Sequence, residues 1–426
     1  MGRKVVWPKF FLVIVCFTVI VWSSGCSQSS SGESSDNKLT IWLWPGMGIE
    51  DQIQQYAKEN GIEIEIQLAE FNDVHNNLTT ALAAGSGAPD VAAIEVKGIA
   101  KYLDYPEHFY NLLDFKADEV SGDYFDWKWK QAMTPDGEAV IGLPTDIGPQ
   151  AMAYRTDVFE EAGLPTDREE VAQLIQTWDD YLEIGEQIKE KTGKSMIDNA
   201  SALYSVIEGQ GKEKYYNENG QVIVSKNPQL KKAYDYTMQL IERDLSASFD
   251  GGSTEWGTGL TNGDFATVMM PAWQMVSVKA NAPDAEGKWD LTQIPEGSGN
   301  QGGSFLTIPK QSDNPEEAYK LIKWLLSPEQ QQVTFEEKGN FPSTPETYES
   351  EALQNFTDDY FNGAPVGKIY AEAAERVKPV IEGKNSINIE KIMTDAVVRV
   401  EDGLQHPEES WERAMDKLKR YEELDN

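Results

Sequence analysis

Twelve tryptophans and 71 carboxylates, set against three histidines and two cysteines, bound the chemistry open to this chain. Cys16 falls in an apolar N-terminal run, so Cys26 is the single thiol after residue 25, and only His75, His108 and His406 carry imidazoles. That inventory argues against a disulfide, a cysteine metal cluster, a thiol nucleophile other than Cys26 and a multi-histidine centre. The expectation is no cofactor and no metal, with an oxygen-ligated calcium site left open. Two carboxyl groups ~5–10 Å apart can perform acid–base hydrolysis. With 71 acidic residues such pairs abound, and their presence decides nothing. Recognition needs other equipment: flat aromatic rings, and side chains that donate and accept hydrogen bonds.

Several residues of these types follow apolar segments. Trp44 ends the run 39–44, ahead of Pro45-Gly46-Met47; it shares a strand face with Trp42, so it either meets ligand or joins the core. Asn72 and Asp73 come after the alternating segment 62–68, where they contact ligand or one of them caps the next helix. Glu95 follows the segment 89–94, well placed for hydroxyl groups. Open α/β sheets expose ligand sites at the carboxyl ends of their strands. Trp256 stands in a glycine-rich stretch, Gly251-Gly252-Ser253-Thr254-Glu255-Trp256-Gly257, as a platform or a loop anchor. Trp127 and Trp129 read as packing residues of a short helix.

The elements that must position these residues follow a βαβ pattern. Strands are expected at 39–44, 62–68 and 89–94, and helices at 50–60 and 73–84, the second stopped by Gly85. Such alternation implies an α/β fold with a largely parallel sheet covered on both faces. Thr177-Trp178-Asp179-Asp180 spells a capping box. Asn314-Pro315 and Ser327-Pro328 mark two further helix starts. About four hundred residues exceed one small core and suggest two lobes.

The formal net charge is −34, and setting aside residues 1–25, with three cations and no anion, deepens it to −37. Phosphate contacts need clustered Lys and Arg, so nucleic acid is excluded as a partner. Lying flat on an anionic membrane is disfavoured for the same reason. The N-terminus carries Arg3, Lys4 and Lys9, an apolar run over 10–22, then Ser23-Ser24-Gly25-Cys26. This is the layout of a cleavable secretory signal, too short for a spanning helix. Its end resembles the lipobox of bacterial lipoproteins, although Ser23 stands where an aliphatic residue is usual. Residues 1–25 are thus expected to be a lipoprotein signal peptide, Cys26 the lipidated residue, and 26–38 a flexible tether without apolar side chains.

Three segments carry a wider resemblance. The first runs Gly142-Leu143-Pro144-Thr145-Asp146, then Ala153-Tyr154-Arg155-Thr156-Asp157-Val158-Phe159 and Ala162-Gly163-Leu164-Pro165, then Thr177-Trp178-Asp179-Asp180-Tyr181. The second covers 263–273, ending Met270-Pro271-Ala272-Trp273. The third is Gly302-Gly303-Ser304-Phe305 into Ile308-Pro309-Lys310, followed by Asn314-Pro315, Ser327-Pro328 and Lys338-Gly339-Asn340-Phe341-Pro342-Ser343. In order and spacing these resemble the extracellular solute-binding lipoproteins of carbohydrate ABC importers, the maltose-binding-protein-like family 1, with Arg155 as a departure.

The resemblance implies a two-lobed periplasmic-binding-protein-like fold with a ligand cleft between lobes joined by hinge strands. One lobe would hold 39–145 plus 295–328 and the other 146–294 plus 329–426. It implies a mono- or oligosaccharide ligand, delivery to ABC permease subunits, a lipid anchor at the outer face of the membrane through Cys26, a monomer and no catalysis. It adds Asp146, Trp273 with its neighbour Gln274, Gly303 and Phe341 to the ligand-binding candidates. An extracellular glycoside hydrolase is the rival reading, since it too needs tryptophan platforms and carboxylates.

Overall fold

The computed structural model describes residues 38–425; the signal segment, Cys26 and most of the tether lie outside them. Strands β1 (Lys38–Leu43), β2 (Glu63–Leu68) and β3 (Val91–Glu95) alternate with helices α1 (Glu50–Asn60), α2 (Phe71–Ala84) and α3 (Val96–Tyr102). Ile53, Tyr56 and Ala57 bury one face of α1, and Val74, Leu78, Ala81 and Leu82 one face of α2, as helical spacing of apolar residues requires. Helix α2 begins at Phe71, two residues before the expected start. Glu70 takes the cap position without a side-chain bond, so neither Asn72 nor Asp73 is the cap; both lie in the exposed first turn.

With β4 (Gly142–Pro144) and β9 (Ser304–Thr307), these strands form a five-stranded sheet in the order β2-β1-β3-β9-β4. The sheet is mixed, which corrects the largely parallel expectation. β2, β1 and β3 run parallel, while β9 is antiparallel to both β3 and β4. The reason is connectivity: β9 arrives from the second sheet, not through a helical crossover from a neighbouring strand.

The second sheet holds β5 (Gln150–Arg155), β6 (Ser195–Ile197), β7 (Phe265–Pro271) and β8 (Trp289–Thr292), in the order β6-β7-β5-β8, with β5 antiparallel to both neighbours. It is buried on both faces. Tyr154, Trp178, Met196 and Val397 belong to one core, and Trp256, Trp289, Phe341 and Tyr370 to the other. A third core, with Ile41, Leu78, Ile94, Phe305 and Ile322, sits on the first sheet. Each sheet therefore has its own interior, and the molecule is two-lobed.

The expected capping box is formed: the Thr177 hydroxyl accepts from the Asp180 N–H, and the Asp180 carboxylate accepts from the Thr177 N–H at 2.8 Å. Ser327 caps the helix Pro328–Lys338. Asn314 does not cap the helix Pro315–Leu325; its amide donates to the Lys38 carbonyl at 3.3 Å instead. Arg155, the departure from the family pattern, is buried at the end of β5. It donates to both Asp157 oxygens (2.8 and 2.6 Å) and to the Leu260 carbonyl at 2.7 Å. A bidentate guanidinium there ties the strand to the helix Thr254–Asn262.

The chain passes between the sheets after β4, between β8 and β9, and between the helices Pro315–Leu325 and Pro328–Lys338. The first two passages are cross-tied. The Gln301 N–H donates to the Gly148 carbonyl at 2.8 Å, the Gly148 N–H to the Asn300 side chain at 2.8 Å, and the Gln150 N–H to the Ser298 hydroxyl at 3.1 Å.

Candidate functional site

On the first lobe, Trp44 lies just past β1 and stacks on His75 at 5.3 Å with an interplanar angle of 28°, while Phe71 meets its edge at 5.1 Å. The two nitrogens of His75 are committed: Nδ1 donates to the Phe71 carbonyl (2.8 Å) and Nε2 accepts the Glu95 N–H (3.1 Å). Burial holds this imidazole below its usual pKa, in keeping with the neutral form that this bonding requires. Glu95 ends β3 and caps α3, accepting the Lys97 N–H at 2.8 Å. Burial pushes its carboxyl upward, against the pull of Lys97.

Lys97 reaches the second lobe. Its ammonium stands 2.6 Å from Glu390, on the helix Ser386–Glu401. Burial alone would lower Lys97, and the Glu95 and Glu390 carboxylates overcome it, so the pKa is raised. Beside this pair, Lys214 contacts Glu208 at 2.8 Å, and the Tyr215 hydroxyl donates to the same carboxylate at 3.0 Å. Burial raises Glu208, and the Lys214 charge opposes it.

These groups surround a cavity of ≈ 30 Å³ lined from the first lobe by Val96, Lys97 and Gln131, and from the second by Ser205, Glu208, Lys214, Glu382 and Glu390. The crossing residues Asn300, Gln301 and Gly302 form its remaining wall. That volume holds a water or two, well below the ~300 Å³ at which small-molecule pockets begin.

Two further candidates meet at the crossing. Asp146, almost fully buried, accepts the Ser304 N–H at 2.9 Å. Gly303 has φ +91°, and a Cβ there would lie 2.7 Å from the Asp146 carbonyl and 2.8 Å from Lys128 Nζ, so only glycine fits. Lys128 is wholly buried, 4.0 Å above the Phe305 ring, and burial lowers its ammonium to about 8. Trp273 is 37% exposed and donates its indole N–H to the Gln301 carbonyl at 2.9 Å, which places it at the cavity's crossing wall. Gln274 begins the adjoining helix, half-buried.

Two expectations are corrected. Trp256 is in a helix, not a loop, and is fully buried with its N–H donating to Asp198 at 2.9 Å. Phe341 is likewise buried, against Phe335 and Tyr348, while its carbonyl accepts the Ile147 N–H at the crossing. Neither ring offers a face to a ligand. The structure thus draws Glu95, Asp146, Trp273 and Gly303 toward one region, keeps Trp44 behind Glu95 through His75, and leaves Asn72 and Asp73 on the exposed turn. Sequence reading missed Lys97, Gln131, Glu208, Lys214, Glu382 and Glu390. Only the adjacency of Lys97 to Glu95 offered a signal. Among the described residues no cluster of three or more His, Cys, Asp or Glu is arranged to hold a metal.

Comparison with known proteins agrees with this architecture. The chain is 30% identical over 368 residues to the lactose-binding protein of Rhizobium radiobacter, covering 81% of this chain and 84% of that one. It is 25% identical over 440 residues to the arabinooligosaccharide-binding protein of Bacillus subtilis (strain 168), covering 96% and 98%. A crystal structure of a family 1 extracellular solute-binding protein superposes with TM-score 0.83 at 37% identity, over 91% of this chain and all of that one. Residues 51–359 match the model of the bacterial extracellular solute-binding proteins, and with two lobes meeting at a polar cleft the chain belongs to that family.

Proposed function

We propose that this protein is an extracellular receptor that closes its lobes on a sugar or oligosaccharide and presents it, as a monomer, to the permease subunits of an ABC importer. The observation that carries this is the cavity itself, whose walls come from both lobes and their crossings and consist mainly of hydrogen-bonding side chains. The names of the two relatives point to the same ligand class. A cavity of ≈ 30 Å³ cannot take a sugar ring, so the lobes open by hinge motion at the crossings to admit one. In this reading the lobes are 39–145 plus 295–328 and 146–294 plus 329–426. Trp44, Asn72, Asp73, Glu95, Asp146, Trp273, Gln274 and Gly303 belong to the ligand face or its support. Cys26 carries the lipid that holds the tether to the membrane. The ligand shifts an open–closed equilibrium and is released unchanged.

Titrating the domain after residue 38 with mono-, di- and oligosaccharides, followed by tryptophan fluorescence, tests the reading. The expected outcome is saturation by one class of sugar with no product formed. Release of shorter sugars would establish the hydrolase reading in its place.

A further inference from the structure

The cavity has a chemical bias that narrows the ligand, given that the cleft is the ligand site. Its lining carries three carboxylates, Glu208, Glu382 and Glu390, and two ammonium groups, Lys97 and Lys214. Glu95, Asp146 and Lys128 stand close behind, two carboxylates and one ammonium, and do not offset the lining's excess of one carboxylate. Glu208 and Glu390 are paired, at 2.8 and 2.6 Å. Three buried lining oxygens, Gln131 Oε1, Glu382 Oε2 and Glu390 Oε2, accept no hydrogen bond among the described residues, and of these the Glu390 oxygen is met by the Lys97 ammonium at 2.6 Å, which leaves Glu382 and Gln131. The one comparable donor nearby among the described residues, Lys128 Nζ, lies behind the lining and not in it. The unmet demand is therefore for donated hydrogens and for positive charge.

Glu382 is held there by construction. Gly383 packs against the Tyr216 ring so closely that a Cβ would lie 2.4 Å from it, and the Asn385 N–H donates to the Tyr216 hydroxyl at 3.0 Å. The Gly383 N–H donates to Ser386 Oγ at 2.9 Å, which joins this turn to the helix bearing Glu390. The backbone that follows Glu382 is thus tied to the helix bearing Glu390.

A metal ion is a poor match, because no acidic cluster is arranged for one among the described residues. A sugar hydroxyl donates a single hydrogen and brings no charge. A protonated amine donates three, accepts none and cancels the excess carboxylate. We infer that the sugar bound in this cleft bears a primary amine, whose ammonium docks between Glu382 and Gln131.

The test measures, by isothermal titration calorimetry, matched sugars that differ only in amine against hydroxyl: glucosamine and glucose, galactosamine and galactose, and the β-1,4-linked di- and trimers of glucosamine and glucose. At least one amine member should bind ten-fold or more tighter than its hydroxyl partner. Glu382→Gln, which keeps shape and removes charge, should cut that ratio at least five-fold; a merely structural loss would weaken both partners alike and leave the ratio intact. If no amine member exceeds its partner by more than three-fold, or if the ratio survives Glu382→Gln, the inference is overturned. Tight binding of the neutral partners alone would overturn it while leaving the receptor reading in place.

Discussion

Trp256 and Trp273 flank the same strand, β7, and live in opposite surroundings. Trp256 has no exposed surface, and its N–H meets an Asp198 carboxylate that also accepts from the Asn199 backbone. Trp273 leaves over a third of its surface exposed and is tied by a single N–H to the crossing segment. Behind the cleft, aromatic area and hydrogen bonds are consumed by folding. At the cleft, ring surface and carboxylate oxygens are left over by folding, and those are the groups a ligand can use. The contrast shows that residue type alone does not leave a ring face accessible; the depth at which the chain places it does.

Trp256→Ala offers the sharpest way to break this contrast. It should cost ~3–5 kcal/mol in urea unfolding, from lost burial plus a cavity, whereas Trp273→Ala should cost under ~1 kcal/mol on the same measurement. Equal losses would erase the distinction. Glu208→Ala comes next, at about 3 kcal/mol, because Lys214 and the Tyr215 hydroxyl lose their buried partner. Adding Lys214→Met should recover most of that loss in a double-mutant cycle. For ligand, Trp273→Ala should weaken binding by ~1–3 kcal/mol in fluorescence titration; unchanged affinity would return Trp273 to a purely structural role.

The last effect concerns pH and is read as a slope. Burial raises the Asp198 carboxyl from 3.8 to about 7, so across that range the folded protein holds a proton that the unfolded chain releases. Stability should therefore fall as pH rises from about 4 to 7, with this group supplying up to ~1 kcal/mol per pH unit. Thermal melts of Asp198→Asn, which stays neutral throughout, should show a flatter profile over that window.

Much of the framework was legible because it rests on local rules. The apolar face of α1, the alternation in β2 and the capping box at Thr177 each follow from neighbours within a few residues. Gly303 entered only as a ligand-binding candidate; that its close neighbours are Asp146 and Lys128, from other parts of the chain, was not legible. Trp256 was misread because glycines 251 and 252 suggested a loop, while Ser253 in fact caps a helix that turns the indole inward. The ion pairs were not legible at all. Lys97 and Glu390 are far apart in sequence, and nothing local marks one carboxylate among 71 for one ammonium.

The sequence by itself determined the class of protein: an acidic, cysteine-poor, two-lobed α/β chain whose motifs recur in order along its length. Those properties depend on composition and on short-range periodicity, which the chain carries whatever its partners. Only the tertiary structure decided which side chains face the cleft. That choice depends on two sheets being brought together by crossing strands, so that Lys97 meets Glu390 and Trp273 meets Gln301. Burial at such a junction is a property of both lobes, and neither segment encodes it alone.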